Sequence, residues 1–184
     1  MREVRASRAA LVRMETQRVI RLHGVPHPQP QVRQVGFPLD HAYIEQCWAP
    51  VIGPTSVLLL RRLPVLWREG MTAEVDVADL AQSLGLGNST GRSGTMQHTL
   101  QRLERFRFAA FSSPADLEVF TEAPPLSSRH LDRLPAWTAK RHEHLLGVHL
   151  DELARIQSRT DLTARLDRLA QPRNPSIPTP AITR

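Results

Sequence analysis

Cysteine, lysine, aromatic side chains and long apolar runs are all scarce in this chain of 184 residues, and each scarcity excludes something. The single Cys47 rules out an internal disulfide and leaves no cysteine framework for zinc, which points to a reducing compartment. No apolar run exceeds four residues, and Val57 to Leu60 is closed by Arg61 and Arg62, far short of the roughly 18 residues a membrane span needs. The N-terminal segment has arginines but no apolar core like that of a secretory signal, and Glu3 and Glu15 speak against an organelle transit peptide. The expectation is a cytoplasmic protein with no membrane partner. Aromatics make up only 5%, so a real core is affordable but not across the whole length. Met1 and Met14 both stand as candidate starts.

What is abundant is arginine. Net charge is +6, and of 24 basic residues only Lys140 is a lysine. Residues 1–35 hold seven arginines against Glu3 and Glu15. A second basic cluster, Arg92, Arg102, Arg105 and Arg107, is opposed locally only by Glu104. Both clusters suit a polyanionic partner, although basic charge often serves solubility alone.

Four regions follow from composition and period. Residues 1–37 read as a basic N-terminal arm and proline-rich linker, with a thin apolar stripe (Val12, Val19, Ile20) over 2–23. That stripe fits a stable helix and a helix formed on contact with a partner equally. Residues 38–125 read as the folded domain, 126–170 as a C-terminal helical region, and 171–184 as a disordered tail rich in proline. Within the domain, residues 40–49 predict a short helix capped by Asp40. Gly53-Pro54 opens the most apolar helix, which Pro64 should kink or divide. Val77, Leu80, Ala81 and Leu84 repeat at i, i+3, i+4 and i+7, with Asp76 as N-cap and Gly85 as the stop.

The helix TMQHTLQRLERF buries Met96, Leu100, Leu103 and Phe106 and turns Gln97, His98, Gln101, Arg102 and Arg105 outward. The period then shortens: RFAAF and LEVFTE around SSPAD predict a β-hairpin. A short helix is expected at 127–134 and a longer one at 136–158, with Thr160-Asp161 capping a last one to Ala170. Trp48, Trp67 and Trp137 read as core or interface fillers, and Cys47 beside Trp48 as packing.

The glycine-rich stretch LGLGNSTGRSGT, Leu84 to Thr95, has the composition of a phosphate cradle but not its register. A Walker A loop needs glycine at Leu86 and lysine at Arg92, and a dinucleotide fingerprint needs glycine at Thr90. HExxH fails because Leu146 occupies the last position, and His142 and His144 face different sides of their helix. No metal site, cofactor or catalytic pair is expected, and the chain reads as a non-enzyme.

The order of apolar helix, capped VADLAQSLGL helix, turn, polar-faced TMQHTLQRLERFRFA helix and hairpin resembles the winged helix-turn-helix fold over roughly residues 52–122. More narrowly, GPTSVLLLRRL followed by LGLGNSTGRSGTMQHTLQRLERF looks like a group of uncharacterised actinobacterial proteins, a resemblance that supplies no activity. The expected fold class is thus mainly α with a small β-hairpin: a winged helix-turn-helix core plus C-terminal helices. The resemblance implies sequence-specific double-stranded DNA binding, most simply by a transcriptional regulator. The face of Gln97, His98, Gln101, Arg102 and Arg105 would read the major groove, where arginine pairs with guanine and glutamine with adenine. Residues 112–116 would form the wing tip, Arg107 would sit at its base, and Arg92, Ser93 and Thr95 would meet phosphate at the helix N-terminus.

Two departures stand against this: ten residues, Gly85 to Gly94, separate the helices where a turn of about 3–4 is usual, and Asp116 at the tip would repel phosphate. The alternatives are a winged-helix protein-interaction module without DNA binding, or a mobile-element replication or partition protein. A stripe of Leu145, Leu146, Leu150, Leu153 and Ile156 either pairs two copies as a homodimer or packs back on its own chain.

Overall fold

The computed structural model describes residues 19–87 and 94–170, with side chains as far as residue 164. The expectations for the arm before Val19, for Arg92 and Ser93, and for the tail after Ala170 lie outside those residues. The chain divides into two units, one ending at Leu146 and the other beginning at Gly147.

Val19–Val25 is a strand, β1, inside the segment read as arm and linker. It is followed by α1 (Pro30–Val35), the two-residue strand β2 (Phe37–Pro38), a π-helical turn at Ile44–Trp48 and α2 (Ala49–Ile52). Asp40 caps nothing in this run; instead the His41 ring accepts from the Tyr43 N–H at 3.0 Å. The apolar helix α3 (Pro54–Leu66) runs on unbroken through Pro64, which lies in its final turn, where only one backbone bond is forfeited. Then come β3 (Thr72–Asp76), α4 (Val77–Ser83), α5 (Thr95–Arg105), and the hairpin β4 (Ala109–Ser113) and β5 (Asp116–Phe120). The short strand β6 (Glu122–Ala123) pairs with β2, and α6 (Ser128–Leu131) and α7 (Ala136–Ala170) complete the order.

The sheet overturns the expected fold class. It is a mixed four-stranded sheet in the order β3-β1-β5-β4, so the molecule is roughly α/β and not a winged helix-turn-helix. The hairpin read from RFAAF and LEVFTE exists, but β5 is an interior strand, paired with β4 on one side and, in parallel, with β1 on the other. A wing projects from its domain; this hairpin is built into the sheet.

Side-chain alternation explains why β1 belongs there. Ile20 and Leu22 are buried, beside Leu117 and Val119 of β5, while Arg21 and His23 face outward. That is the apolar-in, polar-out pattern of a sheet with one solvated face. The register sets Arg21 beside Asp116, and the two form a bidentate pair at 2.6 and 2.9 Å. His23 adds a contact to the same carboxylate at 3.0 Å, and the Ser113 hydroxyl donates to it as well. These partners, Arg21 foremost, hold the Asp116 carboxyl well below the usual carboxylate range. The acid expected to repel phosphate at a wing tip is therefore neutralised within the sheet.

Helices pack on the buried face. Trp67, in the loop after α3, donates its indole N–H to the Leu22 carbonyl at 3.0 Å, and Trp48 donates to Pro124 at 2.9 Å. Cys47 is fully buried and its thiol is pushed up to about 11 by that burial, in keeping with a packing role. Trp137 departs from the core reading, being 66% exposed.

The first turns of α7 dock through Thr138, His142, Leu145 and Leu146, at i, i+4, i+7 and i+8. Where a second helix with a Thr160-Asp161 cap was expected, α7 simply continues. Thr160 donates back to the Ile156 carbonyl at 3.0 Å, as a hydroxyl inside a helix does.

Candidate nucleic-acid interface

Helix α5 carries most of the expected site residues. Met96, Thr99, Leu100 and Leu103 face the core, leaving Thr95, His98, Arg102 and Arg105 exposed along the opposite side, with Gln97 and Gln101 half-buried between. Thr95 is the first helical residue, but the N-cap is Gly94, which offers no side-chain bond to the helix.

Arg102 is not wholly free. One of its Nη atoms donates to the Ile52 carbonyl at 3.3 Å, passing close over Gly53. A Cβ at Gly53 would stand 2.5 Å from that nitrogen, and the backbone φ of +79° there is one that side chains disfavour. The glycine therefore both ends α2 and gives Arg102 its seat. The guanidinium ties α5 to α2 before it can meet any ligand.

The end of α5 differs from that of α4 in one residue type. Helix α4 closes in a Schellman motif: Leu86 N–H bonds the Ala81 carbonyl and Gly85 N–H the Gln82 carbonyl, each at 3.0 Å, with Gly85 at φ +75°. Helix α5 closes in the same way, Phe108 to Leu103 at 2.8 Å and Arg107 to Glu104 at 3.0 Å, but an arginine holds the left-handed position, at φ +59°. Among the described residues Arg107 is the one non-glycine with positive φ. That conformation costs a residue with a Cβ about 1–2 kcal/mol.

Arg105 and Arg107 open onto a cleft of about 530 Å³. Its other wall is α6 and the turn after it, which contribute Arg129, His130 and Arg133. Pro50, Val51, Phe106 and Leu134 form an apolar floor. No carboxylate lines the cleft. Among the described residues none of the four arginines makes an ion pair. The Arg105 guanidinium lies 5.8 Å from the centre of the Phe106 ring. The His130 ring is fixed edge-on to Trp48 at 5.4 Å and shares a hydrogen bond with the Ser127 hydroxyl at 3.2 Å.

Sequence reasoning found Arg105 and Arg107 and missed Arg129, His130 and Arg133. The signal was present in SSRHLDR, where two arginines four apart share one helical face. What the sequence does not carry is that α6 folds back beside the end of α5.

No family model matches the chain, and comparison with curated proteins and with solved structures finds no match. No helix among the described residues is long and apolar enough to cross a membrane.

Proposed function

We propose that the protein binds double-stranded DNA, most simply to regulate transcription in the cytoplasm, with α5 as the contact helix and the arginine-lined cleft as its flank. The observation that carries this reading is the merging of an exposed polar helix face with four guanidiniums that make no ion pair among the described residues. A B-form major groove is wide enough for one helix. In this reading His98 and Gln101 supply the contacts to base edges, while Arg105, Arg107 and Arg129 supply charge for phosphates. Arg102, half committed to the Ile52 carbonyl, fits a positioning contact better than base readout.

Fluorescence anisotropy with duplex DNA over a series of salt concentrations tests this. Affinity should fall steeply as salt rises, because neutralising phosphates releases counterions. Absence of binding at low salt would reject the reading. Unchanged affinity in both Arg102→Ala and Arg105→Ala would reject this choice of face.

We also propose that two copies pair through the second unit. Leu150 and Ile156 of α7 are 43% and 53% exposed, and with Leu153 they recur along one side of the helix. A second copy of the same helix presents the matching stripe.

A further inference from the structure

The cleft gathers basic side chains from two separate elements around one space. We propose that it is a binding site for an organic polyphosphate of nucleotide size, and that its occupant competes with DNA for Arg105. The competition rests on the DNA reading above; the ligand site does not.

Four guanidiniums and an imidazole face one space of about 530 Å³, in the size range of small-molecule sites. Like charges gathered at a concave surface raise the local potential and attract a counter-ion carrying several negative charges. Guanidinium forks match phosphate oxygens in pairs, so four of them suit two or more phosphate groups better than one. The floor is chemically different. Val51, Phe106 and Leu134 offer apolar surface, and the fixed His130 ring stands at its edge, which accommodates a base or sugar rather than more phosphate.

Backbone strain at Arg107 adds an independent sign. The chain closes α4 with glycine at the left-handed position but keeps an arginine there at the end of α5, on the rim of the cleft. Strain retained at one rim residue is what a binding role explains and fold stability does not. Arg105 belongs both to the exposed stripe of α5 and to the cleft, so a bound polyphosphate occupies a charge that DNA also needs.

Isothermal titration of the full chain with ATP, pyrophosphate and adenosine, at one ionic strength and without divalent metal, tests the site directly. ATP should bind, pyrophosphate about tenfold more weakly for want of the floor contacts, and adenosine not measurably. Arg129→Ala/Arg133→Ala should weaken ATP by at least about tenfold, since two charge-assisted contacts are lost. Arg155→Ala/Arg159→Ala on the exposed part of α7 removes the same charge and should leave ATP binding unchanged. Both double variants alter exposed side chains, and circular dichroism checks that each is folded. No ATP binding, or equal loss in the two double variants, overturns the site. Pyrophosphate binding as tightly as ATP overturns the nucleotide-sized occupant.

In the anisotropy assay, ATP should displace DNA, and Arg105→Ala should weaken both ligands. ATP binding without displacement overturns the competition. ATP binding by a chain that never binds DNA removes the DNA reading and leaves the cleft assignment standing.

Discussion

Arg107 and Gly85 occupy the same position in two copies of one helix-ending motif, and the contrast between them can be tested residue by residue. Arg107→Gly relieves a left-handed Cβ and gives back part of that gain as unfolded-state entropy, so the fold should gain about 0.5–1 kcal/mol. DNA and ATP affinity should fall in the same variant. Gly85→Ala should cost about 1 kcal/mol, because its φ is equally left-handed and nothing crowds the site to confuse the result. Denaturant titration of both variants checks the signs. A destabilised Arg107→Gly would mean that the arginine side chain, not the cleft, explains its retention.

The difference between these residues is also a measure of what the sequence discloses. Gly85 after an amphipathic run reads directly as a helix stop, and Asp76 reads as the cap it proves to be, accepting from Ala78 and Asp79 N–H at 2.8 and 3.2 Å. Nothing in RFRFAAF marks Arg107 as left-handed, since arginine carries no such preference.

At the scale of elements, the docking of α7 depends on a buried polar pair that titrates. The Tyr43 hydroxyl accepts from the Leu126 N–H at 2.8 Å and is hydrogen-bonded to Nδ1 of His142, 2.6 Å away. Burial lowers the His142 pKa from the ordinary 6.5, which favours the neutral ring. His27 is alike: Nδ1 accepts from the Gln29 N–H at 3.1 Å and burial again lowers its pKa. Both groups take up protons more readily unfolded than folded. Their contribution is fully present above about pH 6.5 and is lost as pH falls through the lowered folded values. Urea midpoints should therefore drop between neutral and mildly acid pH, and His142→Gln should flatten that drop. A wild-type midpoint unchanged over the interval contradicts the assignment of neutral histidines. The loss through Asp116 has the same sign but belongs to a lower window, below the ordinary carboxylate pKa.

Strand β1 shows why element type was harder to read than element position. VIRLHGV alternates buried Ile20 and Leu22 with outward Arg21 and His23, yet it follows an arginine-rich segment whose spacing suits a helix equally well. Its parallel partner lies some 95 residues away, as the Arg21–Asp116 pairing shows, and no local window contains that pairing. The β4–β5 hairpin was legible because its two strands and turn are contiguous. Its incorporation into a four-stranded sheet was not.

The distal part of α7 makes a prediction of its own. Sedimentation equilibrium should find a dimer, and Ile156→Asp should yield a folded monomer, since a charge at an exposed position leaves the first unit's core untouched. A monomeric wild-type chain contradicts pairing through this helix.

At the scale of the whole molecule, an α/β core seats α5, and α6 completes the basic cleft at its end. The core is built from long-range pairings, which hid the fold class from sequence reasoning. The charged face of α5 was legible, because amphipathic period alone decides which side of a helix is wet. Half of the cleft was not, because Arg129 and Arg133 reach it through tertiary folding.

The most direct test of the central claim is the slope of log affinity for duplex DNA against log salt concentration, in the wild-type chain and in Arg105→Ala/Arg129→Ala. Each phosphate contact removed should lower the magnitude of that slope by about one, so the double variant should lose about two. A wild-type chain that does not bind DNA at low salt, or a double variant with the wild-type slope, contradicts the account.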